Sequence, residues 1–167
     1  MVKRGDKVLI DTMVIIEAHR VALWNSLVEA FNIETVETCL VEAGSGNYNK
    51  QDYVPVNPDC IRAQISVYDV TDIERASLMI SFQSAQGLHD GERDLLALVN
   101  KHANVWFLCC PDRAAIVCAH TMGCLDRCVS LESLADLSAG KYTFHKNYTE
   151  IWLSKERLKL KLEDLGS

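Results

Sequence analysis

Four acidic positions, Asp11, Glu42, the Glu92 and Asp94 pair, and Asp112, each stand where an apolar run meets a turn or where a helix opens. Carboxylates gathered from such distant segments onto one rim of a sheet would repel by roughly 4 kcal/mol per pair at about 4 Å and an effective dielectric near 20. A cluster of that kind needs protons or a cation. Oxygen donors suit Mg²⁺ or Mn²⁺, which keep several waters and can turn one on a phosphodiester while offsetting charge on the leaving oxygen. Metal-assisted phosphodiester hydrolysis is the chemistry these residues suggest.

The elements that must position them follow from periodicity. Residues 7–11 read as a short buried strand ending in Asp11, and residues 21–31 carry apolar side chains at helical three- and four-residue spacing. Residues 33–38 read as a strand and 39–43 as a short helical piece bearing Glu42. A polar connection follows to about residue 60, long enough to act as a substrate flap, although its Gly44 and Gly46 lack the pattern of a phosphate cradle. Residues 65–70 alternate like a strand, and Thr71 with Glu74 forms a capping box that opens a helix to about residue 86, stopped by Gly87. A helix over 90–102, a strand over 105–110, and a helix opened by Pro111 in its first turn and Asp112 complete the core pattern. Alternating strands and helices predict an α/β fold with a mostly parallel sheet and right-handed crossovers. Ligands then bind beyond the carboxyl ends of the strands, so Asp11 and Asp112 should share a rim.

At 167 residues and 49% hydrophobic composition, with no linker-like stretch, one packed domain over residues 1–140 is expected, with a helical extension over 141–167. No run is long and apolar enough to span a bilayer and no leader pattern opens the chain, so a soluble, cytoplasmic protein without membrane contact is expected. The seven cysteines form no framework and read as reduced, mostly buried thiols. His120, Cys124 and Cys128 step by four but lack a paired Cys-x-x-Cys, which disfavours zinc. The net charge of −6 does not exclude nucleic acid: without four clustered acids, 19 acidic residues face 17 basic ones. In the tail, Tyr148, Ile151, Leu158, Leu162 and Leu165 share one helical face while Leu153 and Leu160 point nearly opposite, so the second face is expected to meet a protein partner or a second copy. Lys141, Lys146, Lys155, Arg157, Lys159 and Lys161, interleaved with Tyr148 and Trp152, offer a path for an RNA backbone, with a solvated helix face as the plainer reading.

In order, spacing and strand-end placement, Asp11-Thr12, Glu42, the stretch from Leu88 to Leu98 around Gly91-Glu92-Arg93-Asp94, and Asp112-Arg113-Ala114-Ala115 resemble the PIN-domain nucleases over roughly residues 6–137. The resemblance implies a three-layer α/β/α fold, dependence on Mg²⁺ or Mn²⁺, and endonucleolytic cleavage of RNA, often as the toxin of a toxin–antitoxin pair or in RNA processing. It assigns Asp11, Glu42, Glu92 and Asp112 as the four acids, with Asp94 as a second choice for the third, and Thr12 as the supporting hydroxyl. Arg93 and Arg113, beside those acids, would reach a scissile phosphate. Many relatives carry Asp at the third position and a polar residue where this chain has Pro111. Those departures motivate a second reading, a noncatalytic PIN-like module that binds protein or RNA. A phosphorylated aspartate at Asp11 would need further acids around it or a lysine after a late strand, and the chain offers neither.

Overall fold

The computed structural model describes residues 1–46, 53–103, 105–138 and 140–166. The central stretch of the expected flap, residues 47–52, lies outside them. Strand β1 (Lys7–Ile10) leads into helices α1 (Thr12–Arg20) and α2 (Trp24–Ala30). Strand β2 (Asn32–Val36) is followed by α3 (Glu37–Gly44) and the short α4 (Pro58–Arg62), and β3 (Ser66–Tyr68) by α5 (Asp72–Ser81) and α6 (Asp90–Lys101). Strand β4 (Phe107–Cys109) precedes α7 (Arg113–Thr121), α8 (Leu131–Leu137) and α9 (Glu150–Leu165).

The four strands form one sheet, ordered β3-β2-β1-β4, with every pairing parallel. Val8, Leu9 and Ile10 are all fully buried, the continuous apolar run expected of a strand covered on both faces. Leu9 and Leu108 pack with α6, α7 and α9 on one side; Val8, Ile10, Ile33 and Cys109 pack with α1, α2 and α8 on the other. The molecule is therefore an α/β fold with helices on both faces of a parallel sheet. Successive strands step outward from β1 to β3, and the chain then crosses back to place β4 on the free side of β1. That reversal makes the crevice between β1 and β4 the switch point, where open α/β sheets bind ligands.

Several elements are shorter than periodicity suggests. Helix α2 opens at Trp24 because Ala22 adopts φ +57°, a left-handed turn that the helical spacing of Val21 and Leu23 conceals. The Thr71 capping box forms as expected, but α5 ends at Ser81: Phe82 is extended, and Gln83–Gly87 continues as a 3-10 turn. Pro111 lies just outside α7, whose cap is Asp112. The flap expectation is also revised in its second half. Asn57 caps α4 through the Asp59 N–H at 3.0 Å, and Val56 and Ile61 are buried in the core.

The extension is tied to the body along its length. Glu17, buried on α1, accepts from Arg20 and from the His145 backbone N–H at 3.1 Å, which holds its carboxyl below the usual range despite burial. Asn147 donates to the Pro111 carbonyl at 3.3 Å, and Glu150 accepts from Ser130 at 2.8 Å and Ser133 at 3.0 Å. Tyr148, grouped by sequence with the outer leucines, instead sits in a 3-10 turn before α9 and is buried, its hydroxyl donating to the Met13 carbonyl. No helix among the described residues is long and apolar enough to cross a membrane.

Candidate acidic metal centre

Asp11 is the first residue beyond β1 and Cys110 the first beyond β4. The register that pairs Ile10 with Cys109 therefore sets these two side by side at the switch point. The Cys110 thiol donates to Asp11 Oδ2 at 3.3 Å, and the Val14 N–H donates to Asp11 Oδ1 at 2.8 Å, so Asp11 also caps α1. Asp112 caps α7, its Oδ1 accepting from the Ala114 N–H at 2.6 Å and the Ala115 N–H at 3.2 Å. Glu92, in the first turn of α6, accepts from the His89 N–H at 3.2 Å. Three helix N-termini thus converge on three carboxylates, and their partial positive charge offsets part of the mutual repulsion.

Glu42 comes from the last turn of α3 and is held by Thr12, whose hydroxyl donates to Glu42 Oε2 at 2.6 Å. This contact exists because α6 approaches α3 and α1 through a glycine. A Cβ on Gly91 would stand 2.8 Å from Glu42 Oε2, 2.9 Å from Cys39 Sγ and 3.3 Å from Thr12 Oγ1. Gly→Ala within a helix ordinarily stabilises by about 1 kcal/mol. Here Gly91→Ala is expected to destabilise by about 1–2 kcal/mol, since overpacking costs about 1–3 kcal/mol. A lowered urea midpoint at unchanged slope would show it, and a raised one would refute the tight approach.

The electrostatics register the convergence. Burial, then the charges of Glu92 and Asp112, push Asp11 from its ordinary 3.8 up to about 7, against the lowering effect of its Val14 and Cys110 hydrogen bonds. Burial, then Asp112, raise Glu92 as well, with a smaller contribution from Glu42. Glu92 therefore lies within electrostatic reach of each of the other three acids assigned from the sequence, and Asp11 within reach of Asp112. Burial and the neighbouring Asp11 also hold the Cys110 thiol well above its usual range, which keeps it protonated and donating.

Asp94 is not brought to this group. It points to the other side of α6, where Arg75 clamps it through Nε at 2.6 Å and Nη2 at 2.8 Å, and Thr38 donates at 2.5 Å. Arg93 donates to Asp90 at 3.0 Å and to the Leu88 carbonyl at 2.7 Å, and Arg113 pairs with Glu156 at 3.0 Å and Glu163 at 3.9 Å on α9. Both guanidiniums expected to meet substrate are thus engaged within the chain. Along the tail, Arg157 is held by Glu150 and the Cys128 carbonyl, and Tyr148 is buried, so the aromatic and basic interleaving is not presented as one strip.

Sequence reasoning missed Gly91 and Cys110. The signal for Cys110 was its place: it is the second of two cysteines closing an apolar run two residues before Asp112, where strand alternation turns one thiol to each face. Asp11, Glu92 and Cys110 can each offer a ligand atom, all within 4.8 Å of one another. That spread can be bridged by a cation with ligand bonds of about 2.1–2.4 Å. The donor set is dominated by carboxylates and fits a hard divalent ion, with the neutral thiol acting through Asp11. Neither a family model nor a curated protein matches this sequence.

Proposed function

We propose that the chain is a PIN-like endoribonuclease that hydrolyses RNA phosphodiester bonds with Mg²⁺ or Mn²⁺ held by Asp11, Glu42, Glu92 and Asp112. The observation that carries this reading is the grouping of Asp11, Glu92 and Asp112 at the β1/β4 switch point, with Glu42 in reach of Glu92 and Asp11 buried and shifted to about 7. Together with the α/β layers, it supports the resemblance read from the sequence.

In this reading each residue has a separate task. Asp11 supplies the innermost carboxylate, aimed by the Val14 N–H and the Cys110 thiol. Thr12 fixes the rotamer of Glu42. His89 and the first turn of α7 orient Glu92 and Asp112, each through one oxygen, which leaves the other oxygen without a hydrogen-bond partner among the described residues. When bound, the cation supplies Lewis acidity: it makes water a competent nucleophile near neutral pH and offsets charge gathering at phosphorus.

Asp11→Asn keeps an acceptor for the Val14 N–H but removes the inner charge. Mn²⁺-dependent cleavage of a mixed-sequence single-stranded RNA is expected to fall by at least about 100-fold in this variant, and unchanged cleavage would remove the proposal. The engagement of Arg93 and Arg113 within the chain favours one second reading, a noncatalytic PIN-like binding module. Calorimetric Mn²⁺ binding by a wild-type chain that leaves RNA intact would select it.

A further inference from the structure

Helix α9 buries Leu153 and Leu160 against the body and leaves Ile151, Leu158, Leu162 and Leu165 between 57% and 84% exposed. With Lys155, these positions alternate steps of four and three residues, and at 3.6 residues per turn they fall in a stripe about 80° wide. That is the a/d spacing of a coiled-coil seam, with Lys155 at an a position. Lys159 and Lys161 flank it, one on either side, at the e and g positions.

The acids of α9 face the other way. Glu156 meets Arg113 at 3.0 Å and Lys159 at 2.5 Å, Glu163 reaches Arg113 at 3.9 Å, and Asp164 meets His120 at 3.1 Å. Lys161 approaches Asp126 at 3.8 Å, and Lys155 has no partner among the described residues. The outward face of the helix is therefore an apolar seam lined with lysine, in which Lys159 and Lys161 each keep one acid on the body side and Lys155 has none among the described residues.

We infer that this seam docks an amphipathic helix of another protein, one with an apolar a/d stripe and acidic residues at its flanking positions. A second copy of this chain fits poorly. In a parallel pair Lys155 would meet Lys155 within the seam, and in an antiparallel pair each flanking lysine would face its own equivalent. An anionic lipid surface fits poorly too, since interfacial helices bury a broad apolar face and this stripe is narrow and lacks an aromatic residue. Glutamates on a partner helix would meet Lys155 within the seam and approach the exposed sides of Lys159 and Lys161 at its flanks. The inference rests on α9 alone and stands whether or not the acidic centre cleaves RNA.

The test titrates the full chain with two synthetic helical peptides of about three heptads. They share one Leu/Ile seam; one carries Glu at the flanking positions and opposite Lys155, and the other carries Lys there. Calorimetry is expected to show the Glu peptide binding at least tenfold more tightly than the Lys peptide. Leu158→Glu, at an exposed position, should weaken it at least tenfold without changing the melting temperature. Absence of Glu-peptide binding, or equal binding of both peptides, would overturn the inference. So would dimerisation of the free chain in sedimentation that Leu158→Glu abolishes, or flotation with phosphatidylserine vesicles lost in the same variant.

Discussion

Replacing Asp11 by Asn is expected to raise the thermal stability of the metal-free protein at neutral pH while it removes cation binding. Asp11 ionises near 4 in the unfolded chain and at about 7 in the folded one. Between those values the folded state holds a proton that the unfolded state has lost, so stability falls by about 1.4 kcal/mol for each pH unit climbed. By pH 8 the ionised carboxylate costs up to about 4 kcal/mol. Asparagine has no such charge and retains an oxygen for the Val14 N–H. In the presence of chelator its melting temperature should exceed wild type by up to about 8–16 °C at pH 8, with the gap closing toward pH 4. Calorimetric scans across that range check it. A variant less stable than wild type at pH 8, or a gap that ignores pH, would show that Asp11 is not a strained carboxylate. Mn²⁺ should narrow the gap from the other side by stabilising only the wild type.

Asp94→Ala should do the opposite in both respects. Its carboxylate is buried and satisfied by three donors from Arg75 and Thr38, so truncation strips Arg75 of its buried partner and leaves the Thr38 hydroxyl unpaired. Removing one member of such a buried pair costs about 3 kcal/mol or more, a fall of about 6–12 °C for a chain of this size. Mn²⁺ affinity should hold within about threefold, because the lost carboxylate lies outside the acid group. Loss of Mn²⁺ binding in this variant, measured under conditions where it stays folded, would place Asp94 in the centre after all. Asp11 and Asp94 thus separate two kinds of acid that look alike in sequence: one held at a cost to the fold, the other part of what supports it.

That distinction marks where the sequence stops being informative. Asp11 and Asp112 were legible because each follows a strand-like apolar run, and strand ends of a parallel sheet face one rim. The parallel sheet itself was legible from the alternation of elements. Glu92 and Asp94 were not separable, because α6 buries Leu95, Leu96, Ala97 and Leu98 in unbroken succession and so gives no periodicity to say which face looks where. The answer came from Arg75, which lies on a different helix and whose reach cannot be read from local spacing. Gly91 was invisible for a similar reason: a glycine in a helix records nothing about the neighbour it admits. In the tail the two apolar faces were plain from spacing, but only packing against α7 and α8 decided that Leu153 and Leu160 turn inward.

The pairing of β1 with β4 carries a consequence for biosynthesis. The innermost contact of the centre, Cys110 to Asp11, joins residues 99 positions apart, and the segment that follows β4 lends Asn147 to brace Pro111. A nascent chain emerging from the ribosome holds Asp11, Glu42 and Glu92 early, yet has no rim on which to gather them until the final strand inserts beside the first. The acid group therefore assembles only once β4 has been made, and a chain truncated before Phe107 is expected to lack the Asp11–Cys110 contact and to bind no Mn²⁺ in calorimetry.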